Sequence, residues 1–510
     1  VSTDFASFEE FQRAAAGREL VATAVTMAFD HETPVALAER WLGEEGFFLL
    51  ESASAGPGSV ARWSFLGFSP LASVTLSGAT LTRRRGDKTT STRAPSSNPT
   101  VILRAFMGEF SIGCAKAPER GPDVIAMCGG VGWLTWDAVT GVEPSVVPPS
   151  GWPPAKLGTP QLFWQIPRNF LIYDQLTRKL TVVRLSDVRP LGADFDESAL
   201  KSLWVEERRA FDAVMHALER PWKTQPLRTR DDPIAWENFT GTVTKDKFLE
   251  MAAQSLEEIR AGEIFQIQIG NRLSCHTPAR PFDIFRHLRS LNPSPYMFYF
   301  AGQNEVILGA SPEMMVSVEG ARIVQRPIAG TRRRSWKADA DQRMRQELVT
   351  SEKERAEHVM LVDLARNDIG RVARPGTVRV EELMVVEEYS HVFHMVSQVC
   401  GERRGDLDCW DVLQASFPNG TVCGAPKIRA IQIISSLEPV TREFYAGTLG
   451  LATFGGDLKT TILIRSIHWK DGVASTHASA GIVHDSIPEQ EWLETRNKMA
   501  ACLTVMQNTL

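Results

Sequence analysis

Between residues 245 and 262 the stretch "KDKFLEMAAQSLEEIRAG" sets Phe248, Ala252, Leu256 and Ile259 on one face at helical spacing, and Gly262 stands where a C-terminal cap belongs. The period then changes. In "EIFQIQIGNRLS" (263–274) Phe265, Ile267 and Ile269 alternate with Gln266, Gln268 and Gly270, which predicts a strand with one apolar and one polar face. Further on, "EVILGAS" (305–311) reads as a strand and "ERAEHVMLVDLAR" (354–366) as a helix; in the N-terminal half, short β-rich runs such as "GFFLLES" (46–52) and "KLTVVRL" (179–185) alternate with turns. Three segments break the periodicity: "GDKTTSTRAPSSNPT" (86–100) and "EPSVVPPSGWPPAKLGTP" (143–160) read as loops, and "TQPLRTRDDP" (224–233) as a connector. The connector divides an N-terminal region, 1–232, from a C-terminal region, 233–510. The class is α+β with long antiparallel strands and no internal repeat.

Composition narrows the function without choosing it. A chain of 510 residues, 43% hydrophobic and 23% charged, with a net charge of −5, has the make-up of a soluble globular protein with a large core. It lacks the basic excess that nucleic-acid binding needs, and the arginine clusters at Arg83–Arg85 and Arg332–Arg334 read as solvated surface. The seven cysteines (Cys114, Cys128, Cys275, Cys400, Cys409, Cys423, Cys502) are scattered and never form Cys-x-x-Cys, so they read as reduced thiols of a cytoplasmic protein. The first twenty residues lack a basic segment followed by an apolar one, and no run of about 18 apolar residues occurs, so neither export nor membrane spanning is expected.

Two carboxylate pairs are the first candidates for chemistry. "KERAEHVMLVDLARND" (353–368) carries Glu354 and Glu357, and "DSIPEQEWLETRNKMAACLTVM" (485–506) carries Glu491 and Glu494, each pair at i and i+3 near the start of a helix. Side chains three apart share a helix face, so each pair can aim two carboxylates at one point. Four oxygen ligands on two helices suit Mg²⁺. Spacing alone fits solvated first turns equally well, where glutamates favour the helix dipole.

Five further segments occur in order around these pairs: "GASPEMMV" (309–316), "RPIAGTRRR" (326–334), "YSHVFHMVSQV" (389–399), "GTVCGAPKIRAIQII" (420–434) and "SAGIVHDSIPEQEWLETRNK" (479–498). With them the sequence resembles the chorismate-utilising enzymes, and within these the component I branch of anthranilate synthase, over 240–510 and, through "FFLLESAS", in the N-terminal region. The resemblance implies a large antiparallel β-sandwich core with helices packed outside, and a Mg²⁺ site at Glu354, Glu357, Glu491 and Glu494 bridging to the ring carboxylate of chorismate. It implies that Glu313 is the general acid for the departing C4 hydroxyl, that His394 assists pyruvate elimination, and that Arg465 and Tyr445 hold the enolpyruvyl carboxylate. Gly330, Thr331, Thr421, Ala480 and Gly481 match positions that line the substrate.

Relatives that add water carry a lysine base where this chain has Gln266, and many aminodeoxychorismate synthases carry a nucleophilic lysine where it has Ala329, so direct attack by ammonia is expected. No Gly-x-Cys-x-Gly nucleophile motif of a glutaminase is present, so the resemblance implies a separate glutamine amidotransferase subunit and a hetero-oligomer. After amination two outcomes stay open: pyruvate loss to anthranilate, the first step of tryptophan biosynthesis, or release of 2-amino-2-deoxyisochorismate, as in secondary metabolism. Leu451, Lys459 and Ser479 depart from the common component I pattern, whereas His394 is retained. Glu51 and Ser52, with Pro295, Tyr296 and Met297, resemble the two halves of an allosteric tryptophan pocket. A silent tryptophan-binding regulatory paralogue is the alternative of a different class, and the complete acidic set argues against it.

Overall fold

The computed structural model describes residues 5–52, 62–118, 123–191, 196–220, 222, 224–302, 304–389 and 392–510. Its frame is two large sheets that share two long strands, Trp63–Ser77 and Leu162–Asp174. A bulge at Pro70–Ala72, opposite Ile166 and Pro167, with Ser69 at φ 55°, bends this pair, so that its two ends belong to different sheets.

Toward one end the first sheet runs Ile112–Lys116, Leu20–Ala28, Lys179–Asp187, the shared pair, Phe48–Glu51, Tyr296–Ala301, Val306–Ser311, Ser466–Lys470, Val473–Ile482 and Gln266–His276. Toward the other end the second runs Lys88–Arg93, Thr80–Arg85, the shared pair, Gly129–Leu134, Thr448–Thr453, Leu458–Ile462 and Met314–Glu319. It finishes with Arg322–Gln325 and Ile328–Arg333 end to end along Val392–Glu402, and Arg379–Glu388 beyond. Among the described residues every strand pairing is antiparallel except Leu20–Ala28 with Ile112–Lys116.

One apolar core, built on Trp133, Trp136, Trp164, Phe163 and Phe300, also takes the buried sides of helices Pro99–Met107, Lys245–Arg260, Cys409–Ser416 and Lys427–Leu437. A second core holds Phe8–Ala15, Glu197–Glu219, Pro281–Leu291 and the C-terminal helix Pro488–Asn508 against the other sheet face. The α+β class with a large antiparallel sheet assembly and outer helices is therefore the observed architecture. The 224–233 segment is irregular apart from one bridge, Thr229 to Thr509, and strands from both sides of it are hydrogen-bonded neighbours, as in Phe48–Glu51 beside Tyr296–Ala301.

Three expectations need correction. The 86–100 segment is not a loop: Gly86, at φ 53°, turns a hairpin into the strand Lys88–Arg93, and Asn98 caps the helix that begins at Pro99. That strand is exposed along its whole length, so no apolar alternation marks it. Phe265 does not point inward but is 72% exposed, because the strand begins one residue later, while Gln266 on the nominally polar face is buried. In the arginine clusters the described side chains lie at the surface but in ion pairs: Arg83 and Arg85 bind Glu109, Arg84 binds Glu45, Arg332 binds Glu354, and Arg334 binds Asp341 and Glu388.

Candidate active site

The chain passes between the sheets at two tight crossovers. Pro312–Glu313 joins Val306–Ser311 to Met314–Glu319, and Leu463–Arg465 joins Leu458–Ile462 to Ser466–Lys470. Arg465 makes its turn at φ 51°. Val473–Ile482 therefore has Ser466–Lys470 as a neighbour only as far as Thr476, and its remaining residues are left with an open edge on that side. Open-edge groups need partners. Here side chains supply them: the Ser479 N–H donates to the Tyr445 hydroxyl at 3.1 Å, and Lys498 Nζ donates to the Ser479 carbonyl at 2.9 Å. On the paired side Gly481 lies opposite Gln268, and a Cβ at 481 would stand 2.9 Å from the Gln266 amide nitrogen and 3.0 Å from that of Gln268.

Glu313 is 5% exposed, and its Oε1 has no hydrogen-bond partner among the described residues. Burial pushes its carboxyl up to about 8, against smaller opposing effects from Thr421 and Lys498. At pH 7 it is a neutral acid with a proton to give. Arg465 donates to the Lys498 carbonyl and has no carboxylate partner among the described residues; burial lowers its pKa, while Tyr445 and Glu494 are near enough to oppose that. A half-buried guanidinium so placed is a receptor for an anion. Tyr445 is buried beside it, its ring stacked on His477 with centroids 4.2 Å apart and planes 5° apart.

His394 lies opposite Thr331 in the second sheet, its Nδ1 2.9 Å from the Thr331 hydroxyl. Burial, then the Arg465 charge, push this imidazole down to about 4, so it is neutral and able to accept a proton. Gly330, at φ 62°, is required: a Cβ there would stand 2.6 Å from Leu348 and 2.9 Å from Glu354 Oε2. His358, beside Glu357 in sequence, turns away into the core to Ser397 Oγ at 2.6 Å.

The four glutamates lie on Glu352–Gly370 and Pro488–Asn508. As the side chains stand, no three metal-ligating groups among the described residues are gathered closely enough to share an ion. Glu354 is held by Arg332 at 2.8 Å and Glu494 by Lys498 at 2.6 Å. Yet the four feel one another. Burial raises the Glu357 pKa, and Glu354, Glu494 and Glu491 raise it further against relief from Lys353; Glu491 is raised by burial and by Glu494. An all-oxygen donor set, its charge only partly offset by Arg332, Lys353 and Lys498, fits a hard divalent cation in kind.

The two halves of the expected tryptophan pocket are adjacent: Glu51 pairs in register with Met297, next to Tyr296 and Pro295, and Ser52 follows at the strand end. The Glu51 carboxylate receives both arms of Arg289, at 2.6 and 2.8 Å. Of the three departures from the common pattern, Lys459 is exposed and paired with Glu319, Leu451 is buried in the apolar core, and only Ser479 touches the site. Sequence reasoning missed Lys498, which reaches Ser479, Glu494 and Arg465 together. Its signal was present: it follows Glu494 by four residues, on the same helix face.

The chorismate binding enzyme family matches residues 78–504. Anthranilate synthase component 1 of Acetivibrio thermocellus is 36% identical over 99% of this chain and 98% of its own, and that of Aquifex aeolicus is 36% identical over 98% and 97%. Among solved structures, anthranilate synthase component I from Streptococcus pneumoniae superposes with a TM-score of 0.71 at 30% identity, over 87% of this chain and 92% of that one. The menaquinone-specific isochorismate synthase of Escherichia coli shares the fold, with a TM-score of 0.70 at 18% identity over 98% and 99%.

Proposed function

Because the chain belongs to the chorismate binding enzyme family, and the relatives at 36% identity over nearly its whole length are anthranilate synthase components, we propose that it aminates chorismate and eliminates pyruvate to give anthranilate. The reading rests on Glu313, a buried acid that is protonated at neutral pH and has a free oxygen at the crossover between the sheets. Arg465 and Tyr445 receive the enolpyruvyl carboxylate and orient the ring. When bound between the glutamates, Mg²⁺ supplies electrostatic stabilisation of the ring carboxylate as the nucleophile adds.

Ammonia forms its bond to C2, the ring double bonds shift, the C4 hydroxyl leaves as water with the Glu313 proton, and the new C2 ammonium sheds one proton, which balances the one Glu313 gave, to leave the amine. Gln266 offers no base, which ammonia does not need and water would. His394, kept neutral by burial and the Arg465 charge, accepts the C2 proton as the C3 ether bond breaks; the ring becomes aromatic, and the departing enolpyruvate takes up a proton at its methylene carbon to become pyruvate. The ammonia comes from glutamine by way of a separate amidotransferase subunit. Tryptophan acts as inhibitor at the Glu51–Met297 pocket by preferring the inactive conformation.

Incubating the chain with chorismate, Mg²⁺ and ammonium near pH 8.5 should give fluorescent anthranilate and one pyruvate per turnover. Amine incorporation without pyruvate would favour the reading that stops at 2-amino-2-deoxyisochorismate. With no amine incorporated, the amination reading falls. A Gln266→Lys substitution should lower kcat/KM for ammonium by about tenfold or more, since it puts a cation into a buried position beside Gly481. Unchanged ammonia-dependent turnover would remove Gln266 from the nucleophile's path.

A further inference from the structure

Ser479 stands where this chain departs from the common component I pattern, and its hydroxyl oxygen lies 2.5 Å from the Tyr445 hydroxyl oxygen. We propose that Ser479 is a positioning residue for Tyr445, setting the strength with which the substrate's enolpyruvyl carboxylate is held. The inference rests on the reading that Tyr445 faces that carboxylate.

The geometry leaves Tyr445 little freedom. Its ring is stacked on His477 at 4.2 Å, and the Arg442 guanidinium lies over it at 5.6 Å. What remains to be fixed is where its one hydroxyl hydrogen points. A tyrosine hydroxyl has one donor and two acceptor lone pairs, and only the donor is of use to a carboxylate. The Ser479 N–H occupies one lone pair at 3.1 Å. If the serine hydroxyl donates to the other, both lone pairs are filled and the tyrosine hydrogen is left for the ligand, strengthened by the bonds its oxygen accepts.

With the opposite orientation, tyrosine donating to Ser479 Oγ, the hydrogen is withheld. A carboxylate arriving beside Arg465 selects the first arrangement. Both residues are buried, which holds the two hydroxyls against each other. Ser479 is also anchored through its carbonyl by Lys498, so its hydroxyl is presented from a fixed strand.

The test is steady-state kinetics and chorismate binding for Ser479→Ala, Ser479→Gly, Tyr445→Phe and the Ser479→Ala/Tyr445→Phe pair. We expect KM for chorismate to rise about five- to tenfold in Ser479→Ala and Ser479→Gly, the loss of one hydrogen bond, with kcat within about twofold. Tyr445→Phe should raise KM at least as much, and the double variant no more than Tyr445→Phe alone, because Ser479 acts only through the hydroxyl that phenylalanine lacks. An unchanged KM in the Ser479 variants beside a raised KM in Tyr445→Phe overturns this inference and leaves the substrate site standing. Additive effects in the double variant overturn it as well. An unchanged KM in Tyr445→Phe removes Tyr445 from the site, and the inference with it.

Discussion

Glu357→Gln should lower turnover of chorismate by at least about a thousandfold, because on the proposed Mg²⁺ reading it removes one of the charges that would hold the metal and with it several kcal/mol of charge stabilisation. The same substitution should leave thermal stability unchanged or raise it. Burial and three neighbouring carboxylates lift the Glu357 pKa in the folded protein. A carboxylate with a raised folded pKa favours its protonated form, so its charge costs stability as pH rises from the unfolded pKa through the folded one; at neutral pH the fold bears that cost. Glutamine keeps the volume and removes the charge. Melting curves with and without Mg²⁺ supply the second readout: the ion should raise the Tm of the wild type and have a much smaller effect on the variant. Full activity at ordinary Mg²⁺, or an equal Mg²⁺ shift in both proteins, would exclude Glu357 from the metal site.

Glu313→Gln should cost about 10²- to 10⁴-fold in kcat, the usual range for a positioned general acid, with little change in KM. Glutamine fills the same space and has no proton to transfer. The wild type should also show a descending limb in its pH profile. The acid must be protonated to act, and its pKa lies near 8, so kcat falls as pH rises through that value. In glutamine-fed assays with the proposed amidotransferase subunit, where ammonia arrives already deprotonated, this limb is separated from the titration of ammonium. Residual activity of the variant should lack the limb. A profile that keeps it would assign the titration to another group.

The parts of the site legible in the sequence were those whose spacing carries meaning within one element. Glu354 and Glu357, like Glu491 and Glu494, could be placed on one helix face because three residues make nearly a full turn, and Gly262 at φ 81° is the helix terminator its position suggested. The strand from Gln266 was legible from its alternation, but its boundary was not, and a single residue's error put Phe265 on the wrong side of the surface. The hairpin of Lys88–Arg93 was illegible because a strand exposed on both faces has no apolar residue to repeat. Arg332 was misread because its partner, Glu354, is 22 residues away, and composition cannot see a contact made across a fold. Ser479 presents the sharpest case: its sequence position marked only a departure from pattern, and its purpose depends on Tyr445, 34 residues earlier, being brought to an open strand edge.

The shared strands Trp63–Ser77 and Leu162–Asp174 also set the order in which the protein can become complete during synthesis. They leave the ribosome early, but the edges beside them wait. Phe48–Glu51 needs Tyr296–Ala301, and Gly129–Leu134 needs Thr448–Thr453, a partner more than 300 residues downstream. Until those segments emerge, the nascent chain carries unpaired backbone donors and acceptors beside a largely apolar face, the surface on which strands of other chains pair. Productive folding of this enzyme is therefore tied to the last third of its translation, where chaperone cover matters most.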